Sequence, residues 1–317
     1  MAQFSQYGIS DSILLRAQGE RSAMRILFAG DEHPYSEYAL KETIKLAMNT
    51  WADVTLLGVN HGAAARDSVR GHDTTLESAL SKALRDYREV FLNSWTREDS
   101  PYEVGDGKYE WIPVKSGVME EMKILAGRKK DFRVRLRTGT PAREILSESQ
   151  DDGSDLIVLG CAKGDKCEWA NSVPAPQQVV DEADCSVLLV KEQQSVTRIV
   201  ACLDQGYISQ ESLEIINQMI TIHGACLELI GLSQNGDMEK SVYTRLIEIG
   251  DYYSDRQVEI STRLMDISDF ERVIAQEIKQ DLLALWLGKK SLLNRFFSRG
   301  WVGRFVSKCP TSVLVMR

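Results

Sequence analysis

The chain repeats itself. Ile26-Leu-Phe-Ala-Gly-Asp31 and Ile199-Val-Ala-Cys-Leu-Asp204 share a pattern at an offset of 173, with Ser36 and Ser209, and Leu40 and Leu213, in step. Val54-Thr-Leu-Leu-Gly-Val-Asn60 and Leu227-Glu-Leu-Ile-Gly-Leu-Ser233 match at the same offset. Further on the offset is 128: Leu136 pairs with Leu264, Ile145 with Val273, and Gly160 with Gly288. The closing runs Cys185-Ser-Val-Leu-Leu-Val190 and Thr311-Ser-Val-Leu-Val-Met316 pair at 126. Copies this long are paired domains, not a solenoid. The 317 residues therefore divide into an N-terminal arm (1–23), a first domain (24–193) and a second (197–317), joined near Gln193-Gln194-Ser195. The drop in offset leaves 45 extra residues in the first copy, an insertion at about 74–130.

Each copy reads as strand and helix in alternation, five strands in all. In the first copy the strands are the apolar runs 25–30, 54–59, 133–137, 155–159 and 186–190. Short β-branched runs separated by helical stretches specify a mostly parallel sheet buried on both faces. The fold class is α/β: two tandem Rossmann-like domains with helices on both faces of each sheet. Leu40, Ile44 and Ala47 give the first helix one packing face. Thr140-Pro141 opens another helix, and Asp151-Asp152-Gly153 stops it.

The inserted segment has a pattern of its own. Thr74-Thr75-Leu76-Glu77 resembles a capping box ahead of a long helix marked by Leu76, Leu80, Ala83, Tyr87 and Val90. Tyr102–Ile112 reads as a hairpin around Gly105-Asp106-Gly107, and 117–129 as a second helix with Val118, Met122 and Leu125 inward. Packing against a sheet edge or a partner is one role for this segment, a ligand lid the other.

Composition narrows the function. Lys plus Arg is 38 against 46 Asp plus Glu, a formal charge of −8, which argues against a basic nucleic-acid binder. No apolar stretch reaches the roughly 18 residues of a membrane span, and the N-terminus lacks a secretory apolar core. Six scattered cysteines without CxxC, and four histidines, argue against a zinc site and for a reduced, cytoplasmic protein. Cys185, Cys202 and Cys226 read as small buried side chains, whereas Cys161 and Cys167 share a loop where redox chemistry is the alternative. His33 and His61 follow strand ends, and Asp151-Asp152 reads as a plain helix end, with paired carboxylates for acid–base work as the alternative. There is no nucleophile elbow and no complete Walker loop.

One segment reverses the charge balance. Residues 282–317 hold seven cations and no acid: Lys289, Lys290, Arg295, Arg299, Arg304, Lys308 and Arg317. Phe296, Phe297, Trp301 and Phe305 are interleaved with them. Two readings follow: an anion site, or an amphipathic helix with a solvated basic face and a buried aromatic one.

In order and spacing these pieces resemble tandem universal stress protein domains over nearly all of 25–317, the insertion excepted. The carriers in the first half are Ile26–Asp31, Val54–Val59, Thr138-Gly139-Thr140-Pro141-Ala142, Asp155–Gly160 and Cys185–Val190. In the second they are Ile199–Asp204, Leu285-Trp-Leu-Gly288 and Cys309–Val315. The family divides into ATP-binding and non-binding members, and the binders resemble one another in a loop Gly-x2-Gly-x9-Gly-Ser/Thr after the fourth strand. Glycines let backbone N–H groups approach phosphates, and a helix N-terminus completes the cradle.

The resemblance implies an adenine-nucleotide site, ATP or a relative, at Gly30, Asp31, Val59, Leu159, Gly160, Gly164, Ser172 and Val173. Here the loop departs from the pattern: Gly160 to Gly164 is Gly-x3-Gly, Asn171-Ser172 replaces Gly-Ser, and Pro174 and Pro176 enter the helix start. The second half implies a weaker counterpart at Asp204, Gly288, Ser291 and Gly300, with Trp301 crowding the last. The resemblance also implies an internal pseudo-dimer joined along 186–190 and 313–316, sheltering two sheet edges. A homodimer and a regulatory protein are the further partners it suggests. The functions so implied are a stress-response regulator that binds nucleotide, a nucleotide-free scaffold with altered loops, or a slow ATP hydrolase.

Overall fold

The computed structural model describes residues 24–60, 78–96, 99–102, 109–123, 130–162, 169, 174–191, 195–204, 208–287, 291–297 and 300–317. The first half runs β1 (Arg25–Ala29), α1 (Pro34–Thr50), β2 (Asp53–Asn60), α2 (Ala79–Asn93), β3 (Tyr109–Lys115), β4 (Val118–Lys123), β5 (Phe132–Thr138), α3 (Pro141–Asp152), β6 (Leu156–Gly160), α4 (Ala175–Glu182) and β7 (Ser186–Val190). The second runs β8 (Arg198–Leu203), α5 (Gln210–His223), β9 (Cys226–Ser233), α6 (Lys240–Ser254), β10 (Ile260–Asp266), α7 (Phe270–Glu277), β11 (Leu282–Trp286), α8 (Leu292–Phe296), α9 (Trp301–Lys308) and β12 (Val313–Met316). No helix among the described residues is long and apolar enough to cross a membrane.

All the described strands join one sheet of twelve, in the order β10-β9-β8-β11-β12-β7-β6-β1-β2-β5-β4-β3. Each half repeats the same parallel order, with its first strand in the centre and its third and fifth strands outermost. The halves meet where the closing strands pair antiparallel: Leu189 opposite Val313, Leu188 opposite Leu314, Val187 opposite Val315. The strands are apolar throughout because the sheet has a core on each face. Ile26 and Phe28 pack in one, Leu27 and Ala29 in the other. Helix ends follow local chemistry. Ser78 Oγ accepts from Ser81 N at the start of α2, and Ser209 Oγ from Ser212 N at the start of α5. Gly153 and Gly224 close α3 and α5 in the left-handed region.

The inserted segment is built differently from its sequence pattern. The long helix α2 is the counterpart of α6, so it belongs to the repeated fold. The extra length lies mainly in 94–131, against 255–259 in the second half, and partly in 61–78, against 234–239. The segment 117–129 is not helical where described. Its start is β4, paired antiparallel with β3 and β5, so the first half adds two strands to the expected five. Met, Glu and Lys are good helix formers. Here they yield to the open edge of β5, where Glu120 meets Arg135 and Glu121 meets Arg88. The hairpin of β3 and β4 turns at Ser116-Gly117, with Gly117 at φ +74; the turn expected at Gly105–Gly107 and the capping box at Thr74 lie outside the described residues. Within α2 the buried face is Leu80, Leu84, Tyr87 and Phe91, and Val90 is exposed. Cys185 and Cys226 are only half-buried, whereas Cys161, Cys202 and Cys309 are buried.

Candidate functional site

The strand order reverses beside β1: the chain leaves β1 toward β2 on one side and returns to β6 on the other. In open α/β sheets such a reversal leaves a crevice above the carboxyl ends of the two strands. Ala29 pairs with Leu159, so Asp31 and Gly160 leave the sheet side by side.

Asp31 is the hub of the first crevice. Its Oδ1 accepts from Ser36 Oγ at 2.7 Å and from His33 N at 3.1 Å, and its Oδ2 from the Tyr35 hydroxyl. Its own N–H donates to Ser36 Oγ at 3.1 Å, and Tyr87 donates to its carbonyl at 2.7 Å. Burial raises the carboxyl above the ordinary range, against these hydrogen bonds, which favour the anion. Gly30 is held between the Phe28 ring and Tyr87: a Cβ there would fall 2.7 Å and 3.2 Å from them. Gly160 is more constrained, because a Cβ would fall 2.5 Å from the Tyr35 carbonyl oxygen. That glycine lets the first turn of α1 rest on β6.

Val59 is half-buried at the end of β2, and the side chain of Leu159 lies wholly in the core, leaving only its backbone for a ligand. The Trp169 indole donates to the Gly160 carbonyl at 3.1 Å. Gly164, Ser172 and Val173 lie outside the described residues, as do Cys167 and His61.

The second crevice is filled by its own chain. Asp204 is 2% exposed, and its Oδ2 accepts from Ser291 Oγ at 2.5 Å and Leu293 N at 3.0 Å. Its Oδ1 has no partner among the described residues, and burial raises its carboxyl despite the hydrogen bonds from Leu293 and Ser291. Strand register also moves the counterpart of Gly160. Ile26 pairs with Leu156 and Ile199 with Leu282, so the fourth strands match at 126 rather than 128. Trp286, buried in the core, stands where Gly160 stands, and Gly288 is two residues further on, outside the described residues. Gly300, at φ +72, starts α9.

Among the described residues, Asp151, Asp152 and part of the basic segment take part in ion pairs and packing. Asp151 and Asp152 close α3 and bind the arginines of β5: Arg137 reaches Asp151 at 2.5 Å, and Arg133 and Arg135 reach Asp152 at 3.2 and 3.1 Å. Glu148, wholly buried, accepts from both Arg135 and Arg137. In the basic segment Trp301 stacks between Phe297 and Phe305, with ring centroids 3.7 and 4.7 Å away, and its indole donates to Glu271. Arg317 donates to the Val180 and Ala183 carbonyls at the end of α4. Phe296 and Arg295 stay exposed.

A cleft of about 550 Å³, counting its open mouth, lies away from both crevices, on the seam between the halves. Glu42 and His223 face each other across it at 3.1 Å. Sequence reasoning missed Tyr35, Tyr87, Trp169 and Trp286. Only Trp286 had a signal, since the closing strands already pair at 126.

Strand order and topology define a doubly wound α/β protein. The sequence model of the universal stress protein family matches residues 23–191, more than half of the chain, and the chain belongs to that family. No curated protein matches it in sequence. Among solved structures, a universal stress protein from Archaeoglobus fulgidus superposes with a TM-score of 0.52 at 13% identity, covering 93% of this chain and 97% of that one. A Pseudomonas aeruginosa protein of unknown function gives 0.50 at 16%, covering 93% and 92%. The cytoplasmic domain of a prokaryotic cation chloride cotransporter gives 0.50 at 10%, covering 93% and 95%. At these identities the three share the fold.

Proposed function

We propose that the chain is a cytoplasmic regulatory protein of the stress response that binds one adenine nucleotide, ATP or a relative, in its first half. On this reading residues 24–193 and 197–317 are two copies of the family domain, and only the first keeps a site. The observation that carries it is the difference between the crevices: Asp31 beside Gly160 in one, Asp204 buried under Ser291 and Leu293 with Trp286 beside it in the other. On this reading the adenosine end would lie in the first crevice, a placement supported by the strand-end carboxylate and the half-buried Val59 near it. The phosphate end would fall on Gly164, Ser172 and Val173. A buried tryptophan and a carboxylate already bonded to its own loop do not fit the same ligand in the second half.

A second reading has its own observation. Asp31 already accepts from Tyr35, Ser36 and His33, the bonding of a carboxylate that holds the start of α1. That favours a nucleotide-free scaffold. Thermal unfolding with and without millimolar ATP, ADP or cyclic AMP separates the two. A ligand selective for the folded state adds about 2.7 kcal/mol at a hundred times its Kd, so a bound nucleotide raises Tm by several degrees. No shift with any of the three leaves the scaffold.

A further inference from the structure

Beyond the crevices, the two halves also differ at the outer edges of their third strands. In the first, the outer edge of β5 is covered by β4, with Met119 opposite Leu136 and Glu120 opposite Arg135. The flank of α2 joins the cover, where Arg88 pairs with Glu121 at 2.5 Å and lies 4.0 Å over the Tyr109 ring. The counterpart of β5 is β10, and it is the last described strand of the sheet, bonded to β9 along all seven residues and, among the described residues, to no other strand. Unpaired strand edges attract pairing, and proteins blunt them with proline, lysine or bulges. The far end of the sheet is blunted in this way, with Pro113 and an irregular register in β3. β10, Ile-Ser-Thr-Arg-Leu-Met-Asp, has no proline, lysine or bulge, and its two charged side chains are engaged within the chain, Arg263 by Glu228 and Glu277 and Asp266 by Gly236 and Ser268.

Apolar side chains flank this edge. Leu264 is 58% exposed, and its counterpart Leu136 is packed on the core. Leu264 lies on the α6 face, since its side chain and that of Leu246 converge over Gly231. On α6, Val242, Leu246, Ile249 and Tyr253 point into the core. Arg245 and Tyr252 turn toward α5, bonding to the Ile208 carbonyl and to Glu214. Helical spacing of about 100° per residue then points Tyr243 and Ile247 the opposite way, over the free edge of β10. They are 52% and 49% exposed.

We infer that β10 and the adjacent flank of α6 are a dimer interface, occupied by the same surface of a second copy across a twofold axis. The molecule contains its own example of the joint. At its seam β7 and β12 pair antiparallel, α1 meets α5 across one face through Glu42–His223, and α4 meets α9 across the other through Gln177–Ser307 at 2.8 Å. A β10–β10 pair repeats that geometry. α6 packs over β9 and β10. The two copies of α6 would then sit two strand spacings apart, about 9.5 Å, within the 8–10 Å of helix contact. Tyr243 and Ile247 of both copies fill the space between them.

Register follows from the side chains. A shift by one residue would put the faces out of step. Centring on Arg263 sets like charges opposite each other. Centring on Leu264 sets leucine against leucine, Thr262 against Asp266 and Arg263 against Met265, and it covers the exposed leucine.

The test is sedimentation velocity on the full chain at tens of micromolar. The wild type should sediment as a dimer. Leu264→Lys, and separately Tyr243→Lys with Ile247→Lys, should weaken the dimer about 100-fold while leaving the unfolding midpoint unchanged at dilutions where wild type and variants are monomeric, because all three side chains are about half exposed. Under mild oxidation Leu264→Cys should cross-link to a covalent dimer above the wild-type background, and Thr262→Cys should not, since its twofold mate lies about 13 Å along the strand. A monomeric wild type, a dimer indifferent to the lysine variants, or equal cross-linking at 262 and 264 would each overturn the assignment.

Discussion

Gly160→Ala should destabilise the protein even though the change adds a single methyl group. The new Cβ would fall 2.5 Å from the Tyr35 carbonyl oxygen, 2.7 Å from its carbon and 2.9 Å from Ser36 N. All three are backbone atoms in the first turn of α1, so no side-chain rotation relieves the contact. The helix start must lift from β6, and with it the Asp31 hydrogen bonds to Tyr35 and Ser36. Overpacking of this kind costs about 1–3 kcal/mol. With a urea m-value of about 3 kcal/mol per molar, a 2 kcal/mol loss lowers the midpoint by about 0.7 M. Gly250→Ala is the matched control: it lies within α6, its Cβ meets nothing within 4 Å, and it should gain up to about 1 kcal/mol. If Gly160→Ala unfolds within about 0.5 kcal/mol of the wild type, Gly160 is not a packing glycine, and the account of how α1 seats on the sheet fails.

Other variants probe other parts of the molecule. Glu148→Ala leaves the guanidinium of buried Arg137 short of its buried partner and should cost about 3–5 kcal/mol, read as a fall in urea midpoint at constant m. Trp286→Ala opens a cavity in the core and should cost a similar 3–5 kcal/mol. For Asp204, burial holds the folded carboxyl above its ordinary 3.8, so the folded chain binds that proton more tightly than the unfolded chain. That contribution is complete below the ordinary value and lost as pH rises through the folded one. Asp204→Asn should therefore gain stability relative to the wild type as pH rises above about 4, and parallel stability–pH curves would refute it.

The strands were legible because burial on both faces leaves them uninterrupted apolar runs, and because each run occurs twice. The β7–β12 seam followed from the family resemblance and from the need to shelter two closing edges. β4 was not legible. Val-Met-Glu-Glu-Met-Lys has the composition of a helix, and only the vacant edge of β5, with Arg135 opposite Glu120, makes it a strand. The positions of Asp31, Gly160 and Asp204 were readable as strand ends. What surrounds them was not. Tyr35 and Tyr87 reach Asp31 from two different helices, and Ser291 and Leu293 reach Asp204 across a sequence distance of nearly ninety residues. The pairing of Gly160 with Gly288 failed for a related reason, since identity of residue type drew the two glycines together while strand register aligns Trp286 instead.

Isothermal titration of the full chain with ATP bears most directly on the asymmetry between the crevices. The expected result is one site per chain, lost in Asp31→Ala and retained in Asp204→Ala. Two equivalent sites, binding that survives Asp31→Ala unchanged, or no binding at millimolar ATP would contradict it.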